Sequence, residues 1–112
     1  MLNKKNRISN RRLIQKLFDK GGLYKNAYFI FKFLPSTEDT SQFAIVVSKK
    51  VAPKAVHRNK LKRQISESIQ EKLDQIKTNI VVLVIAKQGL AEIEYQDINK
   101  GIADFINKAN HE

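Results

Sequence analysis

The first regular pattern along the chain is helical: Leu13, Ile14, Leu17 and Phe18 fall within one arc, with Ser9 as a capping residue before them and Gly21 and Gly22 as a stop after them. The spacing predicts a helix over about residues 10–20. The period then changes. Tyr28 to Leu34 reads YFIFKFL, aromatic and β-branched, and alternation sets Phe29, Phe31 and Phe33 toward a core and Tyr28, Ile30 and Lys32 on the other face. Pro35 and the polar STEDTSQ separate this strand from a second, FAIVVSK, so the two read as strands joined by a hairpin-like loop. The short GLYKN segment at Gly22 to Asn26 adds a minor strand.

Beyond Pro53, which a first helical turn accepts, Leu61, Ile65, Ile69, Leu73 and Ile76 recur every three or four residues. A long helix over about residues 54–75 follows. Ile80 to Ala86, IVVLVIA, is too short for a typical helix and strongly β-branched, as in a strand buried on both faces. Strand, helix and buried strand form a βαβ unit, for which the general rule gives a right-handed crossover. From Tyr95 to Ala109, Ile98, Ile102, Phe105 and Ile106 share the face of a last helix, with Glu92, Glu94 and Asp97 near its positive end. Those three acids suit helix-terminus electrostatics better than a metal site. Residues 1–112 read as a single α+β domain.

Charge changes the picture from fold to partner. Lys and Arg number 21 against 11 Asp and Glu, a net charge of +10, which predicts attraction to a polyanion. Nucleic acid is the first candidate and an anionic membrane surface the second. The cations cluster twice: at Lys4, Lys5, Arg7, Arg11, Arg12 and Lys16, and in KKVAPKAVHRNKLKR from Lys49 to Arg63, which contains no acid. On the long helix Leu61, Ile65 and Ile69 share one arc and Asn59, Lys62, Arg63 and Ser66 fill the next, so basic groups line the edge of the packed face, beside a groove. A solvated lysine-rich face is the plain alternative. No cysteine is present, hence no disulfide framework and no thiolate metal site. The basic start lacks the apolar stretch of a signal peptide, and the apolar run from Ile80 is about a third of the roughly 20 residues that span a bilayer. A cytoplasmic protein is expected.

Self-contained catalysis is not visible. His57 and His111 lie in no metal-ligand spacing, and His57 has no neighbour in sequence to orient it as a general base. Glu67, Glu71 and Asp74 share a helix face, yet Lys72 interleaves them as on a solvated surface. Phosphate-binding, nucleophile-elbow and dinucleotide motifs are absent. What remains is a basic, aromatic-bearing surface, suited to neutralising phosphates and stacking on unpaired bases of RNA rather than to base-specific reading of DNA.

The run FAIVVSKKVAPKAVHRNKLKR, with KK after a strand and RNKLKR on the following helix, resembles the hallmark of the bacterial ribonuclease P protein subunit, and KNRISNRRLIQKLFDKG resembles that family's N-terminal region. The likeness covers about residues 4–108. It implies a ribosomal protein S5 domain 2-like α/β sandwich of order αβββαβα, with a left-handed βαβ crossover that departs from the general rule. It also implies an auxiliary function: a partner RNA, with magnesium ions bound mainly by that RNA and none intrinsic to the protein, cleaves the 5′ leader from precursor tRNA. The protein would bind the leader and stabilise the RNA–substrate complex, needing neither a membrane nor a protein partner, and would carry no catalytic residue. Carried over, Arg58, Asn59, Lys60, Lys62 and Arg63, extended by Lys49, Lys50 and Lys54, would meet the catalytic RNA. Ile14, Phe18, Tyr28, Ile30 and Lys32 would line the leader cleft, and Arg7, Arg11 and Arg12 would add RNA contacts. Lys60 replaces the family's second Arg, Ser66 stands where another Arg is frequent, and Ile14 and Lys32 occupy commonly aromatic positions. A small basic RNA-binding protein of ribosomal type is the alternative, and an autonomous nuclease the third reading.

Overall fold

The computed structural model describes residues 2–87 and 93–111. In chain order it forms α1 (Arg11–Lys20), β1 (Gly22–Lys25), β2 (Phe29–Pro35), β3 (Gln42–Val46), α2 (Ala55–Glu71), β4 (Ile80–Ala86) and α3 (Tyr95–Asn110), with 3-10 turns at Lys4–Asn6 and Leu73–Gln75. This is the expected αβββαβα order of an α+β sandwich. Glu92, assigned by sequence to the start of the last helix, lies outside the described residues; Glu94 is the N-cap residue of α3 and Asp97 sits in its first turn.

The strands form one sheet in the order β1-β2-β4-β3. β4 runs antiparallel to β2 and parallel to β3, so β3, α2 and β4 are a βαβ unit. The expected pairing of β2 with β3 as a hairpin does not occur, because β4 lies between them. Its residues are almost all buried, and only a central position covers both faces and both edges of so apolar a strand.

Alternation along the strands divides the core in two. Phe29 and Phe31 of β2, Phe43 of β3 and Val82 and Val84 of β4 meet Leu61, Ile65 and Ile69 of α2 and Ile98, Ile102, Phe105 and Ile106 of α3. Val81 and Leu83 face the opposite side, where they pack with Leu17 of α1 and, at its margins, Leu13 and Ile14. Two helices therefore cover one face and a single ten-residue helix the other.

Local chemistry explains the element ends. The α1 cap is Asn10 rather than Ser9: its side chain accepts the Arg12 amide at 2.9 Å. Gly21 ends α1 in extended conformation, and glycine is required there by space, since a Cβ would lie 2.5 Å from the Leu17 carbonyl oxygen. α2 stops at Glu71, short of the expected 75, and passes through Lys72 into the 3-10 turn. Lys72 Nζ donates to the Ser68 carbonyl at 3.3 Å and to Asn99 Oδ1 of α3 at 2.8 Å, tying the end of α2 to its neighbour. Burial lowers the Lys72 pKa from its ordinary value, with Glu71 pulling the other way.

Candidate nucleic-acid interface

Strand register shows which residues α1 leaves uncovered. On its face of the sheet Leu23, Lys32, Leu83 and Ala44 form one row across the strands, and Lys25, Ile30, Ile85 and Val46 form the next. Leu17 seals the first row at Leu83, while the second keeps Val46 37% exposed and Ile30 and Ile85 half-buried. Phe18, on α1, is 48% exposed and Leu23 is 56% exposed. Lys25 and Lys32 stand among these apolar groups on the same face. The sheet thus presents an apolar strip with cations in it, in which Phe18 is the aromatic group with the geometry to stack on a base. At the other end of the face, near the start of α1, a cleft of about 520 Å³ opens between Leu13, Lys16, Leu34 and Gln42.

The structure brings four of the five expected cleft residues to this face: Ile14, Phe18, Ile30 and Lys32. Tyr28 is the correction. It lies in the turn before β2, where Asn26 Oδ1 accepts the amides of Tyr28 at 3.1 Å and Phe29 at 2.9 Å. Alternation begins only after that turn, and the Tyr28 ring packs against the larger core, beside Asp97, Lys100 and Gly101 of α3. Leu23, Lys25, Val46 and Ile85 join the strip in its place. The sequence signal for Val46 and Ile85 was present in the alternation of FAIVV and IVVLVIA, but only the strand order shows that they are neighbours.

The second basic surface is built on the approach to α2. Val51 and Ala52 are buried and their amides donate to the Ser48 carbonyl, both at 3.1 Å, which holds Lys49 and Lys50 outward. Lys54 precedes the helix, whose first turn contains no acid. Asn59, Lys60 and Arg63 are exposed and Lys62 is half-buried. The free amides of this helix start and the surrounding cations act in the same direction on an anion. Arg58 differs from the others: its Nη1 donates to the carbonyls of Ala52 at 2.9 Å and Pro53 at 2.8 Å. It clasps the turn that displays the lysines, and its remaining donors are left to meet a ligand. Ser66 is not on the exposed arc; it is buried and its hydroxyl donates to the Lys62 carbonyl at 2.7 Å. Arg7, Arg11 and Arg12 are exposed, Arg7 beside β3 and the other two in the first turn of α1.

Among the described residues no three His, Asp or Glu side chains converge as a metal site. Glu71 instead accepts the Tyr95 hydroxyl at 3.1 Å, and burial together with that carboxylate raises the Tyr95 pKa to about 12. No described helix is long and apolar enough to cross a membrane.

Comparisons with known proteins agree with this fold. A family model described as Ribonuclease P matches residues 2–110. The chain belongs to the ribonuclease P protein family. The ribonuclease P protein component of a Pseudanabaena species is 32% identical over 110 residues, covering 97% of this chain and 95% of that one. The ribonuclease P protein of Thermotoga maritima superposes with a TM-score of 0.82 at 26% identity, covering 91% of this chain and 96% of that one. A mutant of the Staphylococcus aureus ribonuclease P protein gives a TM-score of 0.85 at 29% identity, covering 95% of this chain and 89% of that one. As a ribonuclease P protein component the chain takes part in tRNA processing, as part of the ribonuclease P enzyme and in partnership with its RNA.

Proposed function

We propose that this chain assists the ribonuclease P RNA in removing the 5′ leader from precursor tRNA, by binding the leader and stabilising the RNA–substrate complex. The chemistry belongs to the RNA and to the magnesium ions held mainly by it. The observation that carries this reading is the half-covered sheet face: a strip of Phe18, Leu23, Ile30, Val46 and Ile85 with Lys25 and Lys32 among them. A single-stranded leader matches that strip, with bases on the apolar groups and phosphates at the lysines. The α2 surface, on the opposite side of the sheet, then remains for the catalytic RNA. Lys49, Lys50, Lys54, Asn59, Lys60, Lys62 and Arg63 meet its phosphates there, Arg58 positions and joins them, and Arg7, Arg11 and Arg12 add contacts.

Reconstitution tests this. Purified protein alone is expected to leave precursor tRNA intact, and to raise cleavage by its cognate RNA at low magnesium concentration. Cleavage by protein freed of all RNA would sink the assignment of chemistry to the RNA. For the leader, Phe18→Ala with Val46→Ser is expected to lower affinity for precursor tRNA by about tenfold while leaving affinity for mature tRNA unchanged. Equal losses for both substrates would remove the leader from the strip.

A further inference from the structure

At the outer edge of β3 the N-terminal segment and α2 enclose a hollow of about 240 Å³. Leu2 and Phe43 lie almost fully buried beneath it, and the apolar groups that reach its surface are the half-buried Ile8, Ala44 and Ile45. Its polar members are Arg7, Lys62 and Ser66, two cations and one hydroxyl, with no acid among them. The segment that carries Arg7 is fixed in place: Asn6 Nδ2 donates to the buried Ser41 carbonyl at 2.8 Å, Arg7 forms a parallel bridge to Phe43, and the Ile8 amide donates to the Phe43 carbonyl at 3.0 Å. Leu2 is buried at its start. Ser66 is the residue that keeps the hollow open, since a long side chain at that point on α2 would fill it. The Ser66 hydroxyl gives its proton to the Lys62 carbonyl and keeps its lone pairs for another donor.

We propose that this hollow receives one unpaired nucleotide of the partner RNA, its base on the apolar floor and its phosphate between Arg7 and Lys62. The proposal rests on the reading that α2 faces the catalytic RNA. Charge selects an anion, and the apolar floor selects one with a flat, weakly hydrated body. A nucleotide in a helix cannot enter, because its base is stacked and paired, so the occupant is extruded from a loop or bulge.

Ser66→Leu fills the hollow without altering charge. Titrated against the cognate catalytic RNA, it is expected to weaken binding by about tenfold with an unchanged salt dependence, whereas Arg7→Ala lowers the salt slope by about one. A Ser66→Leu protein with wild-type melting temperature and wild-type RNA affinity overturns the proposal. Should Ser66→Leu fail to fold, the unaltered protein decides the matter. Irradiation of its complex with the catalytic RNA at short ultraviolet wavelength is expected to attach a nucleotide to the half-buried Ala44 or Ile45 of β3. Adducts on α2 with none on this stretch overturn the proposal while leaving the RNA partnership intact. Failure to form the complex at all would instead remove the α2 reading on which it rests.

Discussion

α2 and α3 lie side by side on one face of the sheet and bury the same kinds of side chain, yet their charges follow opposite rules. α3 has Asp97 in its first turn and Lys108 in its last, the arrangement that complements the helix dipole. α2 has no acid in its first turn and no base in its last; Arg58, Lys60, Lys62 and Arg63 occupy its first half, and Glu67 and Glu71 its second. A charge placed against the dipole within the terminal turn, as Glu71 is at the end of α2, costs about 0.3–1 kcal/mol. α1 resembles α2, with Arg11 and Arg12 at its positive end and no acid there. A helix arranged for stability alone would look like α3. The two that do not are the helices with exposed cations at their starts, where the unneutralised positive end remains available to an external phosphate.

The contrast can be broken most forcefully from the α3 side. Phe105 is buried and stacks on Phe31 with ring centroids 4.2 Å apart. Phe105→Ala is expected to cost about 3–5 kcal/mol in urea unfolding, while the salt slope of RNA binding by the folded fraction stays that of the parent. A changed slope would show that α3 contributes to the interface. On α2, reversing Lys60 and Arg63 together to Glu avoids the Arg58 clasp and should leave the melting temperature nearly unmoved. RNA affinity is expected to fall by about a hundredfold and the salt slope by about two, whereas Lys100→Glu on α3 changes affinity by less than about twofold. Equal losses on the two helices would abolish the distinction.

The smallest effect is at their junction. Tyr95, in α3, has its pKa raised to about 12 by burial and by Glu71 of α2, against an ordinary value of 10.0. The unfolded chain therefore releases this proton first. The stabilisation is complete below pH 10, declines as pH rises, and is gone above about 12. One tyrosine should titrate late when absorbance is followed at alkaline pH, and Tyr95→Phe should remove that late phase. If all tyrosines titrate together near 10, the junction is not formed in solution.

Much of this was legible in the sequence, because period and composition are local properties. The apolar arcs of α1, α2 and α3 and the alternation of β2 appear in the chain where the helices and strands appear in the fold. Strand order was not legible: β2 and β3 are joined by a short polar loop, and nothing local reveals that residues 80–86 will part them. The apolar strip on the α1 face of the sheet was half legible for the same reason. Phe18, Ile30 and Lys32 could be placed by periodicity and resemblance, while Val46 and Ile85 depend on the register of strands distant in sequence. Tyr28 was misplaced because the Asn26 turn resets the alternation one residue later. Arg58, expected from sequence as an RNA contact, is in the structure a clasp, a role fixed by two carbonyls whose direction the sequence does not encode.

The central place of β4 sets an order in time as well as in space. β2 and β3 acquire a common neighbour only after residues 80–86 have been made, so the sheet cannot close while the residues before them emerge from the ribosome at about 5–20 residues per second. During those seconds α2 has no finished face to lie on, and the nascent chain shows bare strands together with its cations. The basic face of α2 is therefore set in place only once β4 has been made.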